Sequence, residues 1–276
     1  MRGLLRFLRD SLLSILHLIR TGAPMDIWIP LLRASFMRQG QLKKTYGSQI
    51  SRYDAMRSEL SLSNDWFGDN IVFWCAVFDE FSLWKKEIEV LEIGSWEGLS
   101  GSFILNSLVR AHLTCVDTWE GADEHKNLAA APLSVLGQIE RRFDENLARF
   151  SDRLTKFKGT SFSFYNKNDS SKKYDLIYVD GSHHSDDVMI DAIKCFEALK
   201  LGGVMIFDDF LWRYYKNPMS NPAGAINAFL KINKGNYRIV FVYYQIAIEK
   251  ISEPQRDHDE NITFITRATL PTAPQS

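Results

Sequence analysis

The chain predicts a doubly wound α/β fold: a mostly parallel, seven-stranded sheet with an antiparallel edge strand, Rossmann-like, behind an N-terminal helical extension. Three observations predict it. From residue 88 onward short apolar runs alternate with helix-period segments. The runs are apolar on both faces, as strands covered by helices on either side must be. Several of them end in an acid or a glycine turn. Sheets of this kind hold ligands outside the carboxyl ends of their strands, so those ends are where chemistry is sought.

Residues 1–60 read as helical. In MRGLLRFLRDSLLSILHLIRTG, Leu5, Leu8, Leu12, Ile15, Leu16 and Ile19 recur at helical spacing, with Arg2, Arg6 and Arg9 mostly elsewhere. Asp10, Ser11, Ser14 and His17 interrupt the apolar run, which is too short to span a bilayer. Three readings stay open: an amphipathic helix docked on the main domain or on a second subunit, a helix lying on an anionic membrane surface, and a cleaved signal. SLSNDWFGDN is a polar hinge. IVFWCAVFDEFSLWKK then sets apolar residues at 71, 74, 75, 78 and 81, one helix face.

IEVLEIG is the first strand, a helix follows near 99–110, and HLTCVDTW is the second strand. SVLGQIERRFDENLARF is helical and RLTKFKGTS is the third strand. YDLIYVDGSHH is the fourth. SDDVMIDAIKCFEALK predicts a helix with Ser185 as N-cap and two acids in its first turn. GGVMIFDDF is the fifth strand and PAGAINAFLKI a helix. YRIVFVYYQIAIEK holds two strands with so little between them that a hairpin is expected. The tail from Ser252 is polar, with one alternating stretch, NITFITR. The chain thus divides into an extension (1–60) acting as lid, dimer element or membrane-surface element, the α/β domain (61–251), and a tail (252–276).

With 45% hydrophobic and 24% charged residues, the composition is globular, and 276 residues suit one α/β domain plus an extension. Lys+Arg 33 against Asp+Glu 34 leaves a net charge of −1, and no basic cluster points to nucleic acid. Cys75, Cys115 and Cys195 lie far apart among apolar residues. They form neither a CxxC nor a Cys/His set, which argues for a reducing compartment, cytoplasmic or peripheral at the inner membrane face.

VLEIGSWEGLS, residues 90–100, runs an apolar strand into Glu92, Gly94 and Gly98. The glycines permit a sharp turn and close approach to a ligand. The spacing Glu-x-Gly-x-x-x-Gly leaves no pyrophosphate cradle, and a carboxylate there repels phosphate and suits a cation. Asp117 ends the second strand, where nucleotide-binding folds use an acid for ribose hydroxyls. A ligand with a ribose, no phosphate and a positive charge fits S-adenosylmethionine.

These stretches resemble the cofactor motif of class I S-adenosylmethionine-dependent methyltransferases. VLEIGSWEGLS, CVDTWEG and YDLIYVDGSHHSDDV…DA…LKLGGVMIFDD are similar, more narrowly, to a bacterial branch related to catechol-type and macrolide-sugar (macrocin-type) O-methyltransferases, over about residues 64–250. The resemblance implies that Glu92 sits near the amino-acid part of the cofactor or fixes the loop that does. Gly94, Ser95, Trp96, Gly98 and Ser100 would line the methionine moiety, Asp117 would bond the ribose, and Thr118 and Trp119 would flank the adenine. Ser161 would meet the adenine edge, and Asp180 would border the cofactor. For the glycines a plain tight turn, and for Trp96 and Trp119 core packing, are the alternatives.

Asp180 ends the fourth strand, and Asp208 and Asp209 end the fifth. Consecutive strands usually lie side by side, so the three acids should converge, and a divalent cation such as Mg²⁺ would relieve their repulsion. Alternatively, Asp208 and Asp209 cap a turn and no ion binds. Catechol-type enzymes carry Asn at the third position, whereas Asp209 is as in the macrolide-sugar branch. His183, three residues after Asp180, is the candidate general base, with His184 behind it, and His125 is a candidate for the acceptor side or an exposed loop residue. Trp212, Tyr214 and Tyr215 are candidates for the acceptor side. The expected activity is Mg²⁺-assisted O-methylation of a sugar or related small metabolite, by a monomer or homo-oligomer. A metal-independent N- or O-methyltransferase and a non-catalytic scaffold of a glycan-assembly complex are the alternatives.

Overall fold

A computed structural model describes residues 2–34, 39–122, 133–167 and 171–254. Helices α1 (Arg2–Arg20), α2 (Trp28–Arg33), α3 (Gln39–Thr45), α4 (Gly47–Ser58) and α5 (Ile71–Glu80) precede the sheet. There follow β1 (Ile88–Ile93), α6 (Leu99–Ser107), β2 (Ala111–Asp117), α7 (Leu133–Leu136), α8 (Ile139–Leu147), β3 (Leu154–Lys158) and α9 (Ser161–Lys167). The chain continues through β4 (Tyr174–Val179), α10 (Ser185–Ala198), β5 (Leu199–Phe207), α11 (Pro222–Ile232), β6 (Tyr237–Val242) and β7 (Ile246–Lys250).

The strand order is β3-β2-β1-β4-β5-β7-β6. β1 to β5 are mutually parallel where they pair, and β7 runs antiparallel to both β5 and β6. The antiparallel strand is therefore inserted beside the edge strand β6. Chain order reverses between β1 and β4, which opens a crevice at their carboxyl ends. Strand residues alternate between two cores, as a period of two demands. Val90, Leu176 and Tyr178 pack with Trp74, Phe78 and Phe103 on one face. Leu91, Ile93, Ile177 and Val179 pack with Phe196, Phe207 and Phe229 on the other.

Two local expectations change. The N-cap of α10 is His184 in extended conformation, and Ser185 is its first helical residue. The His184 N–H donates to Ser182 Oγ at 3.2 Å. Asp186 and Asp187 do occupy the first turn. In α1, docking is by the C-terminal end: Leu18 is fully buried, His17 is buried, and Thr21 Oγ1 accepts from Asn227 Nδ2 at 2.9 Å. The apolar stripe of Leu12, Ile15, Leu16 and Ile19 stays exposed, so of the three open readings it does not follow the one in which this stripe packs on the main domain. His125 and NITFITR lie outside the described residues.

Candidate active site

The turn after β1 is shaped by backbone crowding. Gly94 has φ +86°, and a Cβ there would stand 1.8 Å from the Asp180 carbonyl oxygen, so no side chain fits where β1 and β4 end. Asp117 fixes the rest of the turn. Its Oδ2 accepts from the N–H groups of Ser95 and Trp96, both at 2.8 Å, and its Oδ1 from Trp119 N at 2.7 Å. Trp96, Trp119 and Asp209 all hold left-handed backbone (φ +45°, +55°, +55°), a strain that concentrates at functional sites.

Glu92 is fully buried. Ser100 Oγ donates to it at 2.5 Å and Cys115 Sγ at 3.2 Å, and burial raises its pKa. It is absent from the crevice wall and ties β1 to α6 and β2. Gly98 also lies off the wall: it caps α6 at φ +79° and packs against Leu147 and Phe143 of α8. Trp119 is core, 4.7 Å from the Phe143 ring, with Lys156 Nζ 4.5 Å over it and its Nε1 donating to the Trp96 carbonyl. Gly94, Ser95, Trp96, Ser100, Asp117, Thr118 and Ser161 do line the crevice. Ser161 opens α9 there and bonds to Asp191.

The acids divide into two groups. Asp180, His183 and Asp209 each offer a ligand atom within 4.8 Å of the others'. His183 Nε2 lies 2.6 Å from Asp209 Oδ2 and 3.9 Å from Asp180 Oδ1. Asp208 lines the same crevice, and it accepts from the Tyr178 hydroxyl, from Gln245 Nε2 at 2.9 Å and from Asp209 N at 2.7 Å. The three expected acids thus lie at one end of the crevice, with His183 drawn in beside Asp180 and Asp209, while the Tyr178 hydroxyl and the Gln245 amide engage Asp208.

Tyr178 also contacts Asp180 Oδ2 at 3.0 Å. One hydroxyl proton serves two carboxylates, so the other contact needs a protonated carboxyl. The shifts agree: burial and then Asp208 push Asp180 well above the usual range, and burial with Asp209 pushes Asp208 up to about 6. Carboxylates converging beside a crevice fit a divalent cation, which would relieve this repulsion, with the His183 imidazole standing against Asp209 at their edge.

The crevice encloses about 1380 Å³, more than one small ligand fills, and its walls span Asp10 to Tyr244. Trp212 and Tyr214 line it, and the Trp212 ring lies 4.7 Å from His183. Tyr215 is instead stacked on His184, its hydroxyl 2.9 Å from Nε2. Residues 62–67 cover one side, strapped down by fully buried Glu97, which accepts from Ser63 N at 2.6 Å and Ser63 Oγ at 2.9 Å and pairs with Arg142 at 2.6 Å. Tyr178, Gln245 and Glu97 are the site residues that sequence reasoning missed. Each carried a faint signal: a polar group inside or beside an apolar strand, or an acid inside a glycine turn.

Residues 91–210 match a family described as "Methyltransferase domain". No curated protein matches the sequence. Similar solved structures include a Staphylococcus aureus protein assigned as a caffeoyl-CoA O-methyltransferase, at 17% identity over 78% of this chain and 100% of that chain, TM-score 0.49. An O-methyltransferase from Bacillus cereus, solved with SAH, is 13% identical over 74% of this chain and 91% of its own, TM-score 0.48. The MycE methyltransferase of mycinamycin biosynthesis, solved with Mg, SAH and mycinamycin VI, is 16% identical over 74% of this chain and 54% of its own, TM-score 0.48. At these values the structural likenesses carry no functional argument, and the family match and the crevice carry it instead.

Proposed function

We propose that the chain, which matches a methyltransferase family over residues 91–210, is an S-adenosylmethionine-dependent methyltransferase and that it methylates a hydroxyl of a sugar or related small metabolite with the help of a divalent cation. One observation carries the reading. The glycine turn held by Asp117 and the group Asp180, His183 and Asp209 open into the same crevice.

Bound S-adenosylmethionine supplies an activated methyl group. Asp117 would accept from its ribose, sharing lone pairs with the three N–H groups it already holds, while Gly94 to Trp96 would border the methionine part and Thr118 and Ser161 the adenine. Asp180 and Asp209 would hold the cation, Mg²⁺ in the simplest case, which would lower the pKa of an acceptor hydroxyl. His183 accepts the hydroxyl proton, its ring oriented by Asp209 and Trp212. Residues 62–67 and the aromatic wall at Trp212 and Tyr214 exclude water and position the acceptor. The extension (1–60) completes the wall of the domain at 61–251.

Calorimetry with S-adenosylmethionine, and transfer of labelled methyl to a panel of sugars and polyhydroxy metabolites, test the reading. His183→Ala should lower turnover by roughly 10²–10⁴-fold with cofactor affinity unchanged. Absence of cofactor binding by the wild-type chain refutes the proposal. The pairing of His183 with Asp209 also favours a second reading, a metal-independent transferase in which Asp209 only orients the base. Full turnover after chelation with EDTA selects it.

A further inference from the structure

Helix α1 turns its faces opposite to those of a helix that serves only its own domain. At about 100° per residue, Leu12, Ile15, Leu16 and Ile19 share one stripe, and that stripe faces solvent. The polar edge, Asp10, Ser11 and Ser14, lines the crevice instead. The chain after α1 extends the exposed stripe: Met25 is 84% exposed, Ile29 63% and Leu32 51%. Ile15 and Leu32 belong to both surfaces, so the apolar face runs up to the mouth of the crevice.

The exposed charge around this face has an excess of positive sign. Arg9, Arg20 and Arg33 are exposed, Arg9 paired with Asp10 at 3.0 Å, and the sequence of α1 adds Arg2 and Arg6. Of the two acids in this stretch, Asp10 borders the crevice and Asp26 accepts from the Tyr237 hydroxyl. A second copy joined face to face about a two-fold axis would set arginines against arginines. No helix among the described residues is long and apolar enough to cross a membrane.

We propose that the face formed by α1 and α2 seats on an anionic lipid bilayer, with the mouth of the crevice turned to the headgroups. Apolar side chains enter the interface and the arginines meet lipid phosphates, the arrangement of an in-plane amphipathic helix. The docking rests on the extension alone, so it stands or falls separately from methyl transfer.

Co-sedimentation of the full chain with vesicles of phosphatidylcholine, or of phosphatidylcholine with about one third phosphatidylglycerol, tests it. Binding is expected to the anionic vesicles and to weaken with salt. The triple variant Leu12→Gln, Ile19→Gln, Ile29→Gln, all outside the crevice wall, should lose at least about tenfold in partitioning with an unchanged circular dichroism spectrum. Arg9→Gln, Arg20→Gln, Arg33→Gln together should remove the preference for anionic vesicles. The proposal is overturned if the wild-type chain stays in the supernatant with both vesicles, or if the glutamine variant binds as wild type. It is also overturned if the face proves to hold a dimer that those glutamines dissolve while vesicles are ignored.

Discussion

Asp191 shows how a single buried carboxyl sets a pH response. It is 2% exposed, accepts from the Tyr165 hydroxyl at 3.0 Å and from Ser161, and burial pushes its pKa from 3.8 to about 6. The folded state therefore holds a proton that the unfolded chain releases between those values. Stability from this residue is full below about pH 4, falls as pH rises, and reaches its maximal loss, about 3 kcal/mol, above pH 6. Asp191→Asn should accordingly raise the urea midpoint at pH 8 and leave it nearly unchanged at pH 4. The strand-end acids Asp180, Asp208 and Asp209 were legible in the sequence because apolar runs ended on them. Their division of labour was not. It depends on Tyr178 and Gln245 reaching Asp208, and side-chain direction across three strands leaves no trace in spacing.

Among the elements, the cover over the crevice hangs on few bonds. Glu97 carries the N–H and hydroxyl of Ser63 and the guanidinium of Arg142, and Asn146 of α8 bonds Ser61 through both its N–H and carbonyl. Replacing Glu97 by Gln removes a buried charge that three donors address. We expect a loss of about 2–4 kcal/mol, seen as faster proteolysis within residues 60–67 and a raised KM. An unchanged cleavage pattern would show that the cover is held elsewhere. The strands and the helices between them were readable because apolar period and turn residues are local properties. The hinge SLSNDWFGDN read as a polar linker, since nothing local reveals that an acid thirty-odd residues on straps it down.

At the scale of the whole molecule, the alternation of strands and helices and the closing hairpin were written in the pattern, whereas the strand order, with β7 inserted between β5 and β6, was not. Nor was the setting of the extension. Periodicity marks a helix as two-faced without saying which face the body takes, and here the body takes the polar edge. Ligand binding should report on the assembled whole: S-adenosylmethionine at a hundredfold excess over its Kd should add about 2.7 kcal/mol to the unfolding free energy, measured as a rise in Tm. No rise would mean that the crevice does not take the cofactor in the native state. The walls of that crevice also carry a consequence for synthesis. They draw on segments from Asp10 to Tyr244, so all of that span must leave the ribosome before the pocket closes around anything. A nascent chain halted before Tyr244 has its glycine turn and its first acids but lacks a finished enclosure. Catalytic competence therefore arrives late and all at once.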